Sequence, residues 1–210
     1  MTGITTISEH NYAVDPDSGV FVTASDLLEY LFCPRFIYFM YGLGISQHED
    51  RRYKVVKGRE VHEGREKTNV DYLRKRIGCI KKETDVYLSA PKYHIKGIVD
   101  EVLTFSDGTM APLDYKFAEF NEKVFKTYRF QSVFYGLLIQ DNYECHVNRG
   151  FICYTRSKNL LKELLISPAD FDELQQMVCE MLNIIQNGYY PRGTESSAKC
   201  IDCCYRRICV

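Results

Sequence analysis

Two short segments carry acids where a strand would leave them costly to bury. Asp100 closes Gly97-Ile98-Val99-Asp100, and fourteen residues later the run Leu113-Asp114-Tyr115-Lys116 follows Pro112. Side chains alternate along a strand, so Asp114 and Lys116 share one face while Tyr115 faces away and leaves its backbone carbonyl available. Hairpin pairing would bring Asp100 alongside. Two carboxylates and the Tyr115 carbonyl make a hard-oxygen site suited to Mg²⁺ or Mn²⁺, and His62 could complete the coordination shell. Such an ion lowers the pKa of a bound water and stabilises phosphoryl charge. Lys116 adds a fixed positive charge that could orient the attacking water or stabilise a pentavalent phosphate. A lone Asp-x-Lys is more simply a hairpin ion pair. The apolar residues ahead of both acids argue for more, since they place charge where it must be compensated.

Gln131 and Tyr135 stand four residues apart, hence on one face of a helix. Taken alone they read as a hydrogen-bonded core Gln beside a packed Tyr. Nine cysteines form a second group. Cys200, Cys203 and Cys209 crowd the end of the chain, with Cys204 as a competing ligand that spacing does not exclude. Cys33, just before Pro34, is the candidate fourth ligand, because a break between helices exposes backbone N–H groups able to bond sulfur. Four thiolates suit Zn²⁺ or an iron-sulfur cluster. Cys79, Cys145, Cys153 and Cys179 read as buried or inert thiols.

The elements that must position these residues follow from spacing. Thr23 and Asp26 predict a capped helix with Leu27, Leu28, Leu31 and Phe32 on one face, and Pro34 opens a second helix, Arg35 to Tyr41, ended by Gly42. Residues 51–75 read as a basic helix. Ile77 to Leu88, Tyr93 to Phe105 and Thr109 to Phe117 read as a strand meander with Ser106-Asp107-Gly108 as a turn. Residues 122–140 return to helical period on Val124, Tyr128, Gln131, Tyr135 and Leu138. Two strands, Gly150 to Tyr154 and Leu160 to Ile166, precede a last helix opened by Ser167-Pro168 and ended by Gly188. The tail from Tyr189 reads as irregular. This order predicts an α/β fold, a mixed sheet flanked by helices, with 1–22 as an N-terminal segment and 23–210 as one domain.

A chain of 210 residues, 45% hydrophobic, has enough core to fold without a metal, so a metal site asks for a functional reason. The net charge of −1 hides an asymmetry: residues 1–50 carry seven acids and one base, residues 51–83 twelve bases and five acids. That basic stretch, from Arg51 to Lys82, could track a phosphate backbone beside His62. No signal peptide or membrane span is indicated, which predicts a cytoplasmic protein, and cysteines there are seldom a disulfide framework. Sixteen Tyr and 12 Phe make base stacking feasible without saying which rings would stack.

His62, Gly97-x-x-Asp100, Asp114-x-Lys116 and Gln131-x-x-x-Tyr135 resemble, in type and order, the motif series of the PD-(D/E)xK nucleases of RecB type. The resemblance implies a restriction-endonuclease-like core in which His62, Asp100, Asp114 and the Tyr115 carbonyl hold the divalent ion. It implies that Lys116 is the catalytic lysine and that Gln131 and Tyr135 position DNA or the attacked phosphate. One cysteine upstream of the His motif and a C-x2-C-x5-C group at the other end resemble the CRISPR-associated exonuclease family of spacer acquisition. In that family four thiolates, here Cys33, Cys200, Cys203 and Cys209, hold an iron-sulfur cluster, usually 4Fe-4S, joining the two ends of the chain. The implied activity is metal-dependent trimming of DNA ends, single-stranded or duplex with overhangs, in partnership with the CRISPR integrase. Self-association is compatible with it. The rival readings are a RecB-type nuclease of repair or recombination, and a non-catalytic DNA-binding module with zinc in the tail.

Overall fold

The computed structural model describes residues 19–47 and 77–209. His62 lies outside the described residues, and of the basic run only Lys81 and Lys82 fall within them.

Helix α1 is Ala24–Phe32. The Thr23 amide and hydroxyl donate to Asp26 Oδ2 at 2.8 and 2.7 Å, and the Asp26 amide returns a 3.3 Å bond to Thr23 Oγ1, the reciprocal cap that the spacing predicts. The other Asp26 oxygen accepts from the Tyr41 hydroxyl at 2.8 Å, which joins the start of α1 to the end of the next helical segment. That segment opens after Pro34 as α2, Arg35–Ile37, and widens into a π-type turn over Tyr38–Gly42, where the Leu43 amide reaches back to the Tyr38 carbonyl at 3.1 Å.

Five strands form one sheet in the order β1-β2-β3-β4-β5: β1 Cys79–Ala90, β2 Ile95–Phe105, β3 Met110–Lys116, β4 Arg149–Tyr154 and β5 Leu160–Leu165. The first three pair antiparallel as the expected meander. Helix α3, Lys126–Tyr143, then carries the chain across to β4, which lies parallel to β3, and β5 returns antiparallel. Helix α4, Pro168–Asn187, ends at Gly188 with φ of 63°, a left-handed cap that glycine adopts freely. The α/β class with a mixed sheet is as expected. The sheet is sandwiched between unequal cores. Leu27 of α1, Phe134 and Leu138 of α3, and Leu174 and Met181 of α4 pack with Val99 and Val102 on one side. Leu103, Phe105, Leu113, Tyr115 and Phe151 form a smaller cluster on the other.

The largest departures from the periodicity reading are at the start of one helix and in the tail. Helix α3 begins at Lys126 rather than near residue 122, because Glu122 adopts a left-handed φ of 57° and Phe125 is extended at ψ 146°. Val124 therefore lies outside the stripe. The tail is not wholly irregular: Ser197–Ile201 is a short helix, α5, with the Ser196 hydroxyl accepting from the Lys199 amide.

The height of α3 above the sheet is set at Gly150. A Cβ there would lie 2.0 Å from Ser132 Oγ, far inside contact distance. Arg129 also fastens α3 to α4, donating from Nη2 to both Asp170 oxygens at 2.8 and 2.9 Å, while Asp170 Oδ2 accepts the Ser167 amide at 2.8 Å. Burial pushes the Asp170 pKa up, but the Ser167 and Arg129 hydrogen bonds outweigh it and hold the carboxylate below its usual value. Gly150→Ala is expected to cost about 2 kcal/mol through overpacking. Ser132→Ala in the same chain should recover most of that loss, because it deletes the clashing oxygen. Urea midpoints of the two single variants and the double variant check this; additive losses would show that the contact does not set the packing.

Candidate active site

The acid–lysine strand lies in the middle of the sheet. Asp114 is 3% exposed and paired, its Oδ2 standing 2.7 Å from Lys116 Nζ. The two project to the α3 side, as alternation predicts. Tyr115 faces the other way, where its hydroxyl donates to Glu101 Oε1 at 3.1 Å. From α3, Gln131 reaches down between them: its amide nitrogen contacts Asp114 Oδ1 at 3.3 Å and the Tyr135 oxygen at 3.1 Å, and its carbonyl oxygen accepts from Lys116 Nζ. The i, i+4 spacing of Gln131 and Tyr135 thus becomes a bridge over the acid–lysine pair. All four side chains form one hydrogen-bonded network.

Asp100 arrives by a break in strand alternation. Strict period two would put Val99 on the face of Leu103 and Phe105, yet Val99 packs with the α3 core and those two with the opposite cluster. Glu83, reached by the Tyr143 hydroxyl from α3, and Val86 show the same extra residue on β1. Between them stands Asp85 with a left-handed φ of 51°, and the β1–β2 ladder passes from Thr84↔Glu101 to Val86↔Val99 over Asp85 and Asp100. The register is kept across this point, Asp85 standing against Asp100, so both strands break alternation together and each re-aims its side chains. Here the break buries Val99 and Asp100 together. The β2–β3 ladder stops at Glu101↔Leu113, and two residues on along β3 the Tyr115 amide donates to Asp100 Oδ2 at 3.1 Å. The two acids therefore sit where the strands part, on either side of the Tyr115 backbone.

Such a set of side chains can serve divalent-ion chemistry on a phosphodiester. Carboxylates are the donors such an ion selects, and the half-buried lysine is oriented by two partners rather than floating in solvent. Among the described residues no group of three or more His, Cys, Asp and Glu side chains is gathered as a metal site. The acids are engaged by Lys116, Gln131 and the Tyr115 amide, which an ion at Asp100 and Asp114 would share. His62 lies outside the described residues.

Sequence reading passed over Tyr128 as a site residue. Its ring centroid lies 5.0 Å from Lys116 Nζ, which makes it the aromatic wall beside the lysine. The signal was available, since Tyr128 precedes Gln131 by three residues on the same helix face. Cys153 lies on β4 in the core. Burial, then the carboxylates of Glu101 and Asp114, pushes its thiol up to about 12, so it is an inert neighbour of the site.

The second expected site is built from both ends of the chain. Cys33, Cys203 and Cys209 pack in one cluster with Phe36, Phe39 and Tyr205. Burial raises the Cys203 thiol, with further upward pushes from the thiols of Cys33, Cys209 and Cys200. Cys200 and Cys204 are exposed. Two donors point at sulfur: the Thr194 amide to Cys33 Sγ at 3.4 Å, and Arg35 Nη1 to Cys209 Sγ at 3.2 Å. Arg35 is itself held by the Pro191 carbonyl at 3.1 Å and by the Tyr190 ring, 4.5 Å from its guanidinium carbon. Soft sulfur ligands with N–H donors on them suit a thiolate-bound metal or cluster, although Cys200 stands outside this packed cluster and among the described residues the thiols are not gathered as a metal group.

Among the described residues no helix is long and apolar enough to cross a membrane. Comparison with known proteins agrees with the geometry. The chain is 26% identical over 188 residues to the CRISPR-associated exonuclease Cas4 of Thermoproteus tenax, covering 90% of this chain and 93% of that protein. The crystal structure of SSO0001 shares the fold, with a TM-score of 0.56 at 18% identity over 97% of this chain and 88% of that one. The family description of the PD-(D/E)XK nuclease superfamily matches residues 65–210, a span that contains Asp100, Asp114, Lys116, Gln131 and Tyr135. With most of the chain matched and the acid–lysine strand inside the match, the chain belongs to the PD-(D/E)XK nuclease superfamily.

Proposed function

We propose that this nuclease is a metal-dependent DNA exonuclease that trims DNA ends for spacer acquisition in CRISPR adaptation, acting in the cytoplasm with the CRISPR integrase. The observation that carries the reading is the closed network of Asp114, Lys116, Gln131 and Tyr135, with Asp100 on the adjoining strand. Its likeness along nearly its whole length to a CRISPR-associated exonuclease supports the biological setting.

In this reading Asp100, Asp114, the Tyr115 carbonyl and His62 hold Mg²⁺ or Mn²⁺, which when bound supplies an activated water and neutralises charge on the phosphate. The chain's own residues do the rest. Lys116 donates to the attacked phosphate, offsetting the charge that grows as the pentavalent state forms. Gln131 fixes the Lys116 ammonium through its carbonyl oxygen and keeps its amide on Asp114, so that neither rotates away. Tyr135 holds the Gln131 amide from behind. Cys33, Cys200, Cys203 and Cys209 hold the 4Fe-4S cluster as a clamp between the N-terminal helices and the tail, with Cys204 outside the ligand set.

The test uses anaerobically purified protein and end-labelled single-stranded and overhanging duplex DNA. The expected result is label loss from ends that requires Mn²⁺ or Mg²⁺, with iron and acid-labile sulfide in the protein. DNA binding with zinc and no cleavage would overturn the reading in favour of a binding module.

A further inference from the structure

Phe125 stands half exposed, at 50%, immediately before α3, although burying an aromatic ring is ordinarily favourable. It is the outermost member of a line of rings. Phe125 meets Tyr128 edge-on, with centroids 5.6 Å apart and an interplanar angle of 89°. Behind them Tyr128 packs on Tyr154 at 6.2 Å, and Tyr154 on Phe120 at 5.2 Å. The line is anchored in the core at Tyr154, which is buried. The line runs past the reacting centre, because the Tyr128 ring is also the one beside Lys116 Nζ.

An exposed ring on a rigid base, next to a half-buried lysine that could meet a phosphate, is a platform for a flat hydrophobic group attached to that phosphate. A nucleobase is such a group, one sugar removed from its own phosphate. Inside a duplex both faces of a base are already stacked and an end pair offers only its outer face, so the base with a face free along the strand is an unpaired one.

Resting on the nuclease reading above, we infer that Phe125, backed by Tyr128, is a stacking subsite for an unpaired base next to the reacting phosphate. It selects single-stranded or frayed ends and is indifferent to sequence, since every base presents a π face. Phe125 acts on substrate binding and Lys116 on the reaction.

The test is a cycle between protein and substrate. Wild type, Phe125→Ala and Phe125→Trp are assayed on a single-stranded oligonucleotide and on the same strand with abasic terminal positions. Phe125→Ala is expected to raise KM about tenfold with little change in kcat. Abasic ends should raise the wild-type KM by a similar factor and leave the Phe125→Ala value unchanged, while Phe125→Trp stays near wild type. Equal KM values for wild type and Phe125→Ala, or losses that simply multiply, would overturn the subsite. Wild type that cleaves no DNA would overturn the nuclease reading and the subsite with it, an outcome distinct from wild-type cleavage that ignores Phe125.

Discussion

Lys116→Met is expected to slow DNA cleavage about a thousandfold while divalent-ion binding is retained or tightened. The two effects separate because Lys116 holds two relationships at once. It is the positive charge available to the phosphate, and removing one such oriented donor typically costs 10² to 10³ in rate, about 3–4 kcal/mol. It is also the cation that now occupies Asp114 Oδ2 at 2.7 Å. Met fills a similar volume and takes the cation away from a carboxylate that stays buried beside the Gln131 amide. A buried carboxylate that has lost its cation strengthens its claim on a divalent ion. The apoprotein should accordingly lose stability that Mn²⁺ restores. Asp114→Asn predicts the opposite pairing, with cleavage and ion binding lost together. Calorimetric Mn²⁺ titration beside end-label assays distinguishes the variants, and parallel loss of both properties in Lys116→Met would refute the division of roles.

Cys33→Ser is expected to empty the thiol site of iron and sulfide and to lower thermal stability by about 10 °C. The reasoning is topological. Cys33 closes α1, whereas Cys203 and Cys209 lie in the tail, yet all three share a cluster with Phe36 and Tyr205. Apart from ring contacts, polar bonds such as Lys199 Nζ to the Leu31 carbonyl at 3.1 Å and Tyr205 hydroxyl to the Ile45 carbonyl at 2.7 Å join the two ends. A group held by four thiolates would add a cross-link of long sequence separation, worth about 3 kcal/mol on the scale of such closures. For a chain of this size that corresponds to roughly 2–4 °C per kcal/mol. Cys204→Ser, at an exposed position outside that cluster, should leave iron content and melting temperature near wild type. Equal iron in wild type and Cys33→Ser would remove Cys33 from the ligand set.

Much of the positioning was legible because it depends on local spacing. The Thr23–Asp26 cap, the Ser106-Asp107-Gly108 turn and the shared face of Asp114 and Lys116 each follow from a rule that spans a few residues. Gln131 and Tyr135 were legible as a pair, but their partner was not. That Gln131 would bridge Asp114 and Lys116 depends on how closely α3 approaches β4, which Gly150 and Ser132 decide from distant parts of the sequence. The paired break in alternation at Asp85 and Asp100 was hidden for another reason. Strand alternation assumes an unbroken pleat, and nothing in Val99-Asp100 itself announces that two adjacent side chains turn inward. The start of α3 was misjudged because apolar Val124 continues the helical stripe, while the left-handed turn at Glu122 leaves no periodic trace.

Cys153 gives the fold an internal clock. Its thiol is fully buried on β4, held protonated to about pH 12, and enclosed by the same strands that carry the acids. A thiol reagent in neutral solution meets Cys200 and Cys204 on the surface at once, but reaches Cys153 only when the sheet itself opens. The slow phase of labelling therefore counts openings of the central sheet, and a divalent ion that ties β2 to β3 would lengthen that phase without touching sulfur.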